Sequence, residues 1–202
     1  MPEAHYFNTI VTTATAEFKD KGSRFIAIAA PVNTIADCKQ NLLHIKKTYP
    51  KASHYCFAYR LGLDDNQFRV SDDGEPSGSA GRPILGQLDS RGVTNVMVVV
   101  VRYFGGTLLG VPGLINAYKS ATAMALQVVP MIRKPILVKY QLQFDYTQMN
   151  DIMMVVKQFD CEVIRQELQL FCLMQIGIPK HRITETIMKL KDIRNLSLKE
   201  DA

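Results

Sequence analysis

Val96-Met97-Val98-Val99-Val100-Val101, continued by Arg102-Tyr103-Phe104-Gly105-Gly106-Thr107-Leu108-Leu109-Gly110-Val111-Pro112-Gly113, is the stretch on which the fold turns. Six aliphatic residues in a row, with no polar interruption, read as a strand buried on both faces, because a strand with one wet face would alternate. A glycine-rich loop follows, and then a helix over about residues 114–128. Strand, glycine-rich loop and helix start in that order expose backbone N–H groups to a phosphate or a carboxylate. The Walker pattern fails here because Gly105 to Gly110 is followed by Val111-Pro112 instead of Gly-Lys-[Ser/Thr]; the dinucleotide pattern G-x-G-x-x-G is also absent. The other reading is conformational: the glycines permit a tight reversal and close packing.

Upstream, residues 23–30 read as a strand. Asn33-Thr34 offer a cap for a helix whose apolar residues Ile35, Cys38, Leu42, Ile45 and Tyr49 recur at helical spacing until Pro50 ends it. Residues 54–61 are strand-like, and an Asp64-Asp65-Asn66 turn leads to a partner strand around Phe68 to Val70, giving a hairpin. Residues 83–88 read as a helix with Gly92 as its stop. Before it lies Ser71-Asp72-Asp73-Gly74-Glu75-Pro76-Ser77-Gly78-Ser79-Ala80-Gly81-Arg82-Pro83, the densest polar cluster of the chain. Its carboxylates Asp72, Asp73 and Glu75 repel one another unless a cation, a basic side chain or backbone N–H groups compensate them. The alternation of an EF-hand is missing, so a calcium loop is not indicated. One reading is a binding loop; the other is a solvated turn in which Ser77 or Ser79 caps the helix.

Nine of the 12 glycines fall between Gly74 and Gly113, and Pro130 and Pro135 bracket a stretch that can continue neither a helix nor a central strand through both prolines. The boundary is therefore placed there, with domains at residues 1–132 and 133–202. The second contains strands at 136–144, 161–165, 168–178 and 196–198 and helices at 149–159 and 181–193. That order, βαββαβ, is the ferredoxin-like plan, and the whole is an α+β protein. Met149, Met153 and Met154 sit at helical spacing and read as core, while Arg182, Lys189 and Lys191 read as a solvated face.

The 202 residues carry 24 Lys+Arg against 19 Asp+Glu, a formal charge of +5, divided as +3 and +2 between the two domains. Spread this evenly, the charge permits a nucleic-acid partner and does not demand one. The longest aliphatic run is far short of the roughly 20 residues a membrane span needs, and the start of the chain has no basic and apolar leader pattern. A cytoplasmic location without membrane contact is expected. Cys38, Cys56, Cys161 and Cys172 form no C-x-x-C pair and read as reduced thiols. His54 and Cys56 alternate onto one face of their strand, but no third group is evident that would make them a nucleophilic pair.

Residues 72–83 and 100–110, with Lys21-Gly22-Ser23-Arg24-Phe25-Ile26-Ala27 and His54-Tyr55-Cys56-Phe57-Ala58-Tyr59, closely resemble the signature blocks of the YigZ/IMPACT family. The resemblance covers residues 17–128, and the rest is similar to the C-terminal domain of bacterial members. It implies an N-terminal two-layer sandwich of the ribosomal-protein second-domain type and a ferredoxin-like C-terminal domain, similar to the fourth and fifth domains of elongation factor G. Eukaryotic relatives act in translational control through an added N-terminal domain, so that the kinase-pathway role is not expected here while a link to ribosomes, RNA or translation is. Where the family pattern has Leu-Val-[Arg/Lys]-Ala-Tyr, this chain has Leu114-Ile115-Asn116-Ala117-Tyr118, and Lys119, one turn away from the missing cation, is its expected substitute.

These readings lead to a non-enzymatic, translation-associated regulatory protein that binds RNA or a ribosomal surface. The expected ligand-binding residues are Arg24, Asp72, Asp73, Glu75, Arg82, Arg102, Tyr103, Gly105, Gly106, Gly110, Tyr118 and Lys119. Arg102 is expected to face an external phosphate and Arg82 to neutralise the acidic loop internally. No catalytic residue, metal or cofactor is expected. The enzyme alternative is metal-assisted phosphoryl transfer or hydrolysis, with Asp72, Asp73 and Glu75 on a metal opposite an anion near Gly105 and Gly106. A protein-interaction module with an unidentified protein partner, using the C-terminal sheet, is the third reading.

Overall fold

The computed structural model describes residues 4–63, 67–168 and 171–201. Its strands and helices run β1 (Tyr6–Ile10), β2 (Ala14–Asp20), β3 (Ser23–Pro31), α1 (Ile35–Thr48), β4 (His54–Leu61), β5 (Gln67–Ser71), α2 (Gly81–Arg91), β6 (Val96–Tyr103), α3 (Gly110–Val128), β7 (Met131–Pro135), β8 (Leu137–Phe144), α4 (Met149–Gln158), β9 (Glu162–Leu168), β10 (Cys172–Pro179), α5 (Ile183–Lys191) and β11 (Ser197–Glu200). The chain divides into two compact units, residues 7–133 on one side and residues 134–201 with residues 4–6 on the other. The start of the chain thus belongs with its end, where the His5 carbonyl accepts from Ile136 N–H at 2.8 Å and Tyr6 stacks on His181 at 5.2 Å.

In the first unit a five-stranded antiparallel sheet has the order β2-β3-β6-β4-β5. The aliphatic strand β6 lies at its centre, between β3 and β4, as its uninterrupted hydrophobicity requires. Strand parity then sorts its side chains. Val96, Val98 and Val100 join one apolar cluster with Ile84 and Leu88 of α2 and Ala117, Tyr118 and Ala121 of α3, while Met97, Val99 and Val101 join another with Cys38 and Ile45 of α1. To the two layers expected from the resemblance, α1 adds a third on the opposite face. A capping box opens α1: Asp37 N–H donates to Thr34 Oγ1 at 3.1 Å and Thr34 N–H donates back to the Asp37 carboxylate at 2.9 Å. These bonds and that from Asn33 N–H hold the Asp37 carboxyl below its ordinary value.

The second unit is a four-stranded antiparallel sheet in the order β11-β8-β10-β9, with α4 and α5 against one face. Within the unit this is the order four-one-three-two of the ferredoxin-like plan. The mixed α+β class is what the molecule has.

Several expectations are corrected. Strands β1 and β2 have no counterpart in the reading of the sequence. Residues 131–135 form β7, which pairs with β1 in a separate two-stranded sheet; a proline closing an edge strand removes no needed ladder bond. Helix α3 begins at Gly110, because Pro112 in a first turn lacks only an N–H that would have no intrahelical acceptor. Met153 and Met154 are exposed instead of core, and Arg182 bonds Asp160 at 2.8 Å with its guanidinium 5.3 Å from the Phe159 ring instead of being merely solvated. The Asp64-Asp65-Asn66 turn lies outside the described residues, as does part of the strand expected at 168–178.

Candidate functional site

The polar loop between β5 and α2 is folded inward around its own carboxylates. The Asp72 carboxylate accepts from Gly78 N–H at 2.8 Å, Ala80 N–H at 3.1 Å and Gly81 N–H at 2.8 Å. Burial opposes its charge, but these three backbone donors outweigh burial and hold its pKa below the ordinary carboxylate value. The start of α2 is thus capped by a residue eight positions upstream. This corrects the expectation for Ser77 or Ser79: Ser77 is exposed, and the fully buried Ser79 hydroxyl donates to the Pro76 carbonyl at 2.6 Å. Asp73, exposed, accepts from Tyr55 N–H at 2.6 Å.

Glu75 is buried, and its Oε1 accepts from Arg102 Nη1 at 2.6 Å and from the Tyr118 hydroxyl at 2.7 Å. The Cys56 thiol, in turn, donates to the Asp72 carbonyl at 3.0 Å and lies 3.3 Å from the Tyr118 hydroxyl. Burial pushes the Cys56 thiol up to about 12 and raises the Tyr118 hydroxyl well above its usual range. Neither is a nucleophile at neutral pH. His54 Nδ1–H donates to the Asp73 carbonyl at 2.8 Å, which leaves Nε2 at 4.0 Å from the Glu75 carboxylate and the ring without a bond to Cys56. His54 and Cys56 are neighbours on β4, and each is used to bind the acidic loop.

Neither arginine sits as expected. Arg102 is buried, paired with Glu75 and stacked between Phe25 and Phe104, with ring centroids at 5.3 and 5.6 Å. Strand parity explains it: β6 continues to Tyr103, so Arg102 follows Val98 and Val100 onto the face that α2 and α3 cover. Its Nε is buried with no hydrogen-bond partner among the described residues. Arg82 is exposed, one position off the core-facing Gly81, Ile84, Leu85 and Leu88 of α2, and makes no ion pair among the described residues. Asp72, Asp73 and Glu75 are each held by protein donors, and no cluster of three or more His, Cys, Asp or Glu fit to hold a metal occurs among the described residues. The metal arrangement imagined for the enzyme alternative is therefore not assembled.

The loop between β6 and α3 is built differently. Phe104 N–H donates to Ser53 Oγ at 3.2 Å and Gly105 N–H to Ser23 Oγ at 3.1 Å, which pins the loop's start to the ends of β4 and β3. A Cβ on Gly105 would lie 1.9 Å from the Gly22 carbonyl carbon, so only glycine fits there. Gly106 has φ +88°, the left-handed region glycine tolerates, with open space around it. Beyond that anchor the loop faces outward: Phe104 is 48% and Leu108 83% exposed. Helix α3 has neither a side-chain cap nor an acidic residue in its first turn. Gly110, Asn116 and Lys119 are exposed, and Tyr118 is inside.

Register places further cations at this end of the sheet. Arg24 pairs with Tyr103 across β3 and β6 and with Lys19 across β2 and β3, and Lys21 and Gly22 form the connecting turn. The exposed Arg24 guanidinium grips Glu17 through two bonds of 3.0 and 3.1 Å and lies 5.8 Å from the Tyr103 ring. The Tyr103 hydroxyl donates to the Pro50 carbonyl at 3.1 Å, which brings Lys51 to the same end. Lys19, Lys21 and Lys51 are not among the expected site residues; register with Arg24 is the signal that finds the first.

The class this defines is a two-domain α+β protein with a glycine-rich loop presented at one end of its first sheet. Residues 21–126 match the model of the Impact N-terminal domain. The chain is 38% identical to IMPACT family member YigZ of Escherichia coli K12, over 88% of each chain, and 34% identical to IMPACT family member YvyE of Bacillus subtilis, over 73% of this chain and 68% of that one. Protein IMPACT of Rattus norvegicus is 40% identical over 47% of this chain and 31% of its own length. A crystal structure described as that of an hypothetical protein superposes with a TM-score of 0.80 at 34% identity, covering 99% of both chains. The chain belongs to the IMPACT family. No described helix is long and apolar enough to cross a membrane.

Proposed function

We propose that this protein is a non-enzymatic, translation-associated binding protein that uses the loop end of its first sheet to hold RNA or a ribosomal surface. The observation that carries this reading is the exposed Phe104 ring on a glycine-rich loop, at the end of the sheet where Lys21 and Lys51 are exposed and Lys19 and Arg24, also exposed, share Glu17. An aromatic face offers any base a stacking surface, and cations beside it follow the phosphate backbone. Family membership supports the connection with translation. The open N-terminal turn of α3 adds backbone donors to the same end.

The test is binding of a single-stranded oligoribonucleotide and of purified ribosomes at low and moderate salt. Affinity is expected to fall with salt, and Lys21→Ala is expected to lower the salt slope by about one for each phosphate that the lysine neutralises. Phe104→Ala is expected to weaken binding by about 1–3 kcal/mol if one base stacks there. Wild-type protein without salt-dependent binding to either would overturn the proposal.

A further inference from the structure

Helix α1 covers only part of its side of the first sheet. It lies against β6 and shares a core with the buried Tyr59 and Leu61 of β4, while Tyr55 and Phe57 stay half-buried and Arg69 of β5 is exposed. Between the helix and strands β4 and β5 runs a groove of about 260 Å³, walled by Leu42, Met97, Phe57 and Tyr59, with Lys39 entering from α1 and Arg69 from β5. Phe57 and Tyr59 lie parallel, 4° apart, with centroids separated by 6.3 Å. Tyr55 continues their line along β4, and Lys46 of α1 sits 5.2 Å from its ring. No carboxylate lines the groove, and neither Lys39 nor Arg69 makes an ion pair among the described residues. Elsewhere in this unit Arg24 and Arg60 are paired, with Glu17 and Asp89.

We propose that this groove binds a nucleotide, with its flat base against the apolar floor and its phosphate between Lys39 and Arg69. Two cations on opposing walls complement an anion, and an arginine fork fits phosphate oxygens better than a lone positive charge would. An aromatic and aliphatic floor takes a flat, weakly polar body. At about 260 Å³ the groove lies just under the roughly 300–1,000 Å³ of small-molecule pockets and has no room for a folded partner. The site lies on a different part of the domain from the loop of the proposed function and stands without that reading. The nucleotide is either free or one unit of an RNA strand, and both sources present the same chemistry.

Isothermal titration of the full chain with AMP, with GMP and with a short single-stranded oligoribonucleotide tests it. Arg69→Ala and Lys39→Ala, both exposed positions, are expected to leave the melting temperature unchanged and to weaken binding about tenfold each, as removal of one charge-assisted hydrogen bond does. Saturable AMP or GMP binding that weakens in both variants assigns the groove to a free nucleotide. Weakening of oligoribonucleotide binding alone assigns it to a nucleotide within a strand. Phe104→Ala is expected to leave the groove's binding intact, so the loop reading can fail while this one stands. No saturable binding, or binding that Arg69→Ala and Lys39→Ala leave undiminished, overturns the proposal.

Discussion

The acidic loop 72–80 and the glycine-rich loop 104–109 look alike in outline: both are short, carry two glycines and are placed before a helix. In the folded protein they are opposites. The first turns its charges inward, with Asp72 on three backbone N–H groups and Glu75 on Arg102 and Tyr118. The second fixes its start on Ser53 and Ser23 and then presents Phe104 and Leu108 to solvent. Partners decide the difference. A carboxylate close to buried donors becomes structure, whereas a loop without such partners, leading into an uncapped helix start, stays exposed.

The largest effect expected from breaking this contrast belongs to Arg102→Ala. Removing one member of a buried pair strands the other, so Glu75 is left without its cation and unfolding free energy is expected to fall by about 3–5 kcal/mol in a denaturant titration. An unchanged midpoint would mean that the arginine faces outward after all. Gly105→Ala comes next, at about 1–3 kcal/mol, because the new Cβ meets the Gly22 backbone and not a side chain that can turn away. Loss of ligand binding with normal stability would instead make Gly105 a place of ligand approach.

Asp72→Asn is expected to cost about 0.5–2 kcal/mol at neutral pH, the range for losing a helix cap. Its pH dependence has a fixed sign. The folded carboxyl titrates below its unfolded value, so its contribution is present above that unfolded value and is lost as pH falls through the folded one. The gap in melting temperature between wild type and Asp72→Asn is therefore expected to close on acidification below about pH 4, the ordinary aspartate range, and a gap that widens would contradict the assignment. The smallest effect is expected of Arg82→Ala, within about 0.5 kcal/mol in the same denaturant titration, since an exposed arginine without an ion pair holds little.

The centre of the first sheet is plain in the sequence. Val96 to Val101 has no polar residue, and strand β6 is buried on both faces; β4 at His54–Leu61 and the α2 stop at Gly92 are equally legible from aromatic content and from glycine. Arg102 is misplaced when the strand is read as ending with its last valine. Continuing the alternation two residues further puts the arginine inside. The cap of α2 is invisible for a different reason: local patterns look three residues back, and Asp72 reaches across eight. Strand β2 gives only a weak signal because the residues it turns to the core, Ala14, Ala16 and Phe18, include two small alanines, and its place comes from that packing together with pairing to β3. Lys51 joins the loop end only through the bonds of Tyr103 and Ser53, which no spacing encodes.

Native-state hydrogen exchange, read amide by amide, tests the division between the two loops most directly. Slow exchange is expected at Gly78, Ala80 and Gly81, whose N–H groups are held by Asp72, and fast exchange at Gly106, Thr107 and Leu108, beyond the last anchored amide at Gly105. Fast exchange at Gly78, Ala80 and Gly81, or protection at Gly106 to Leu108 equal to theirs, would contradict that division.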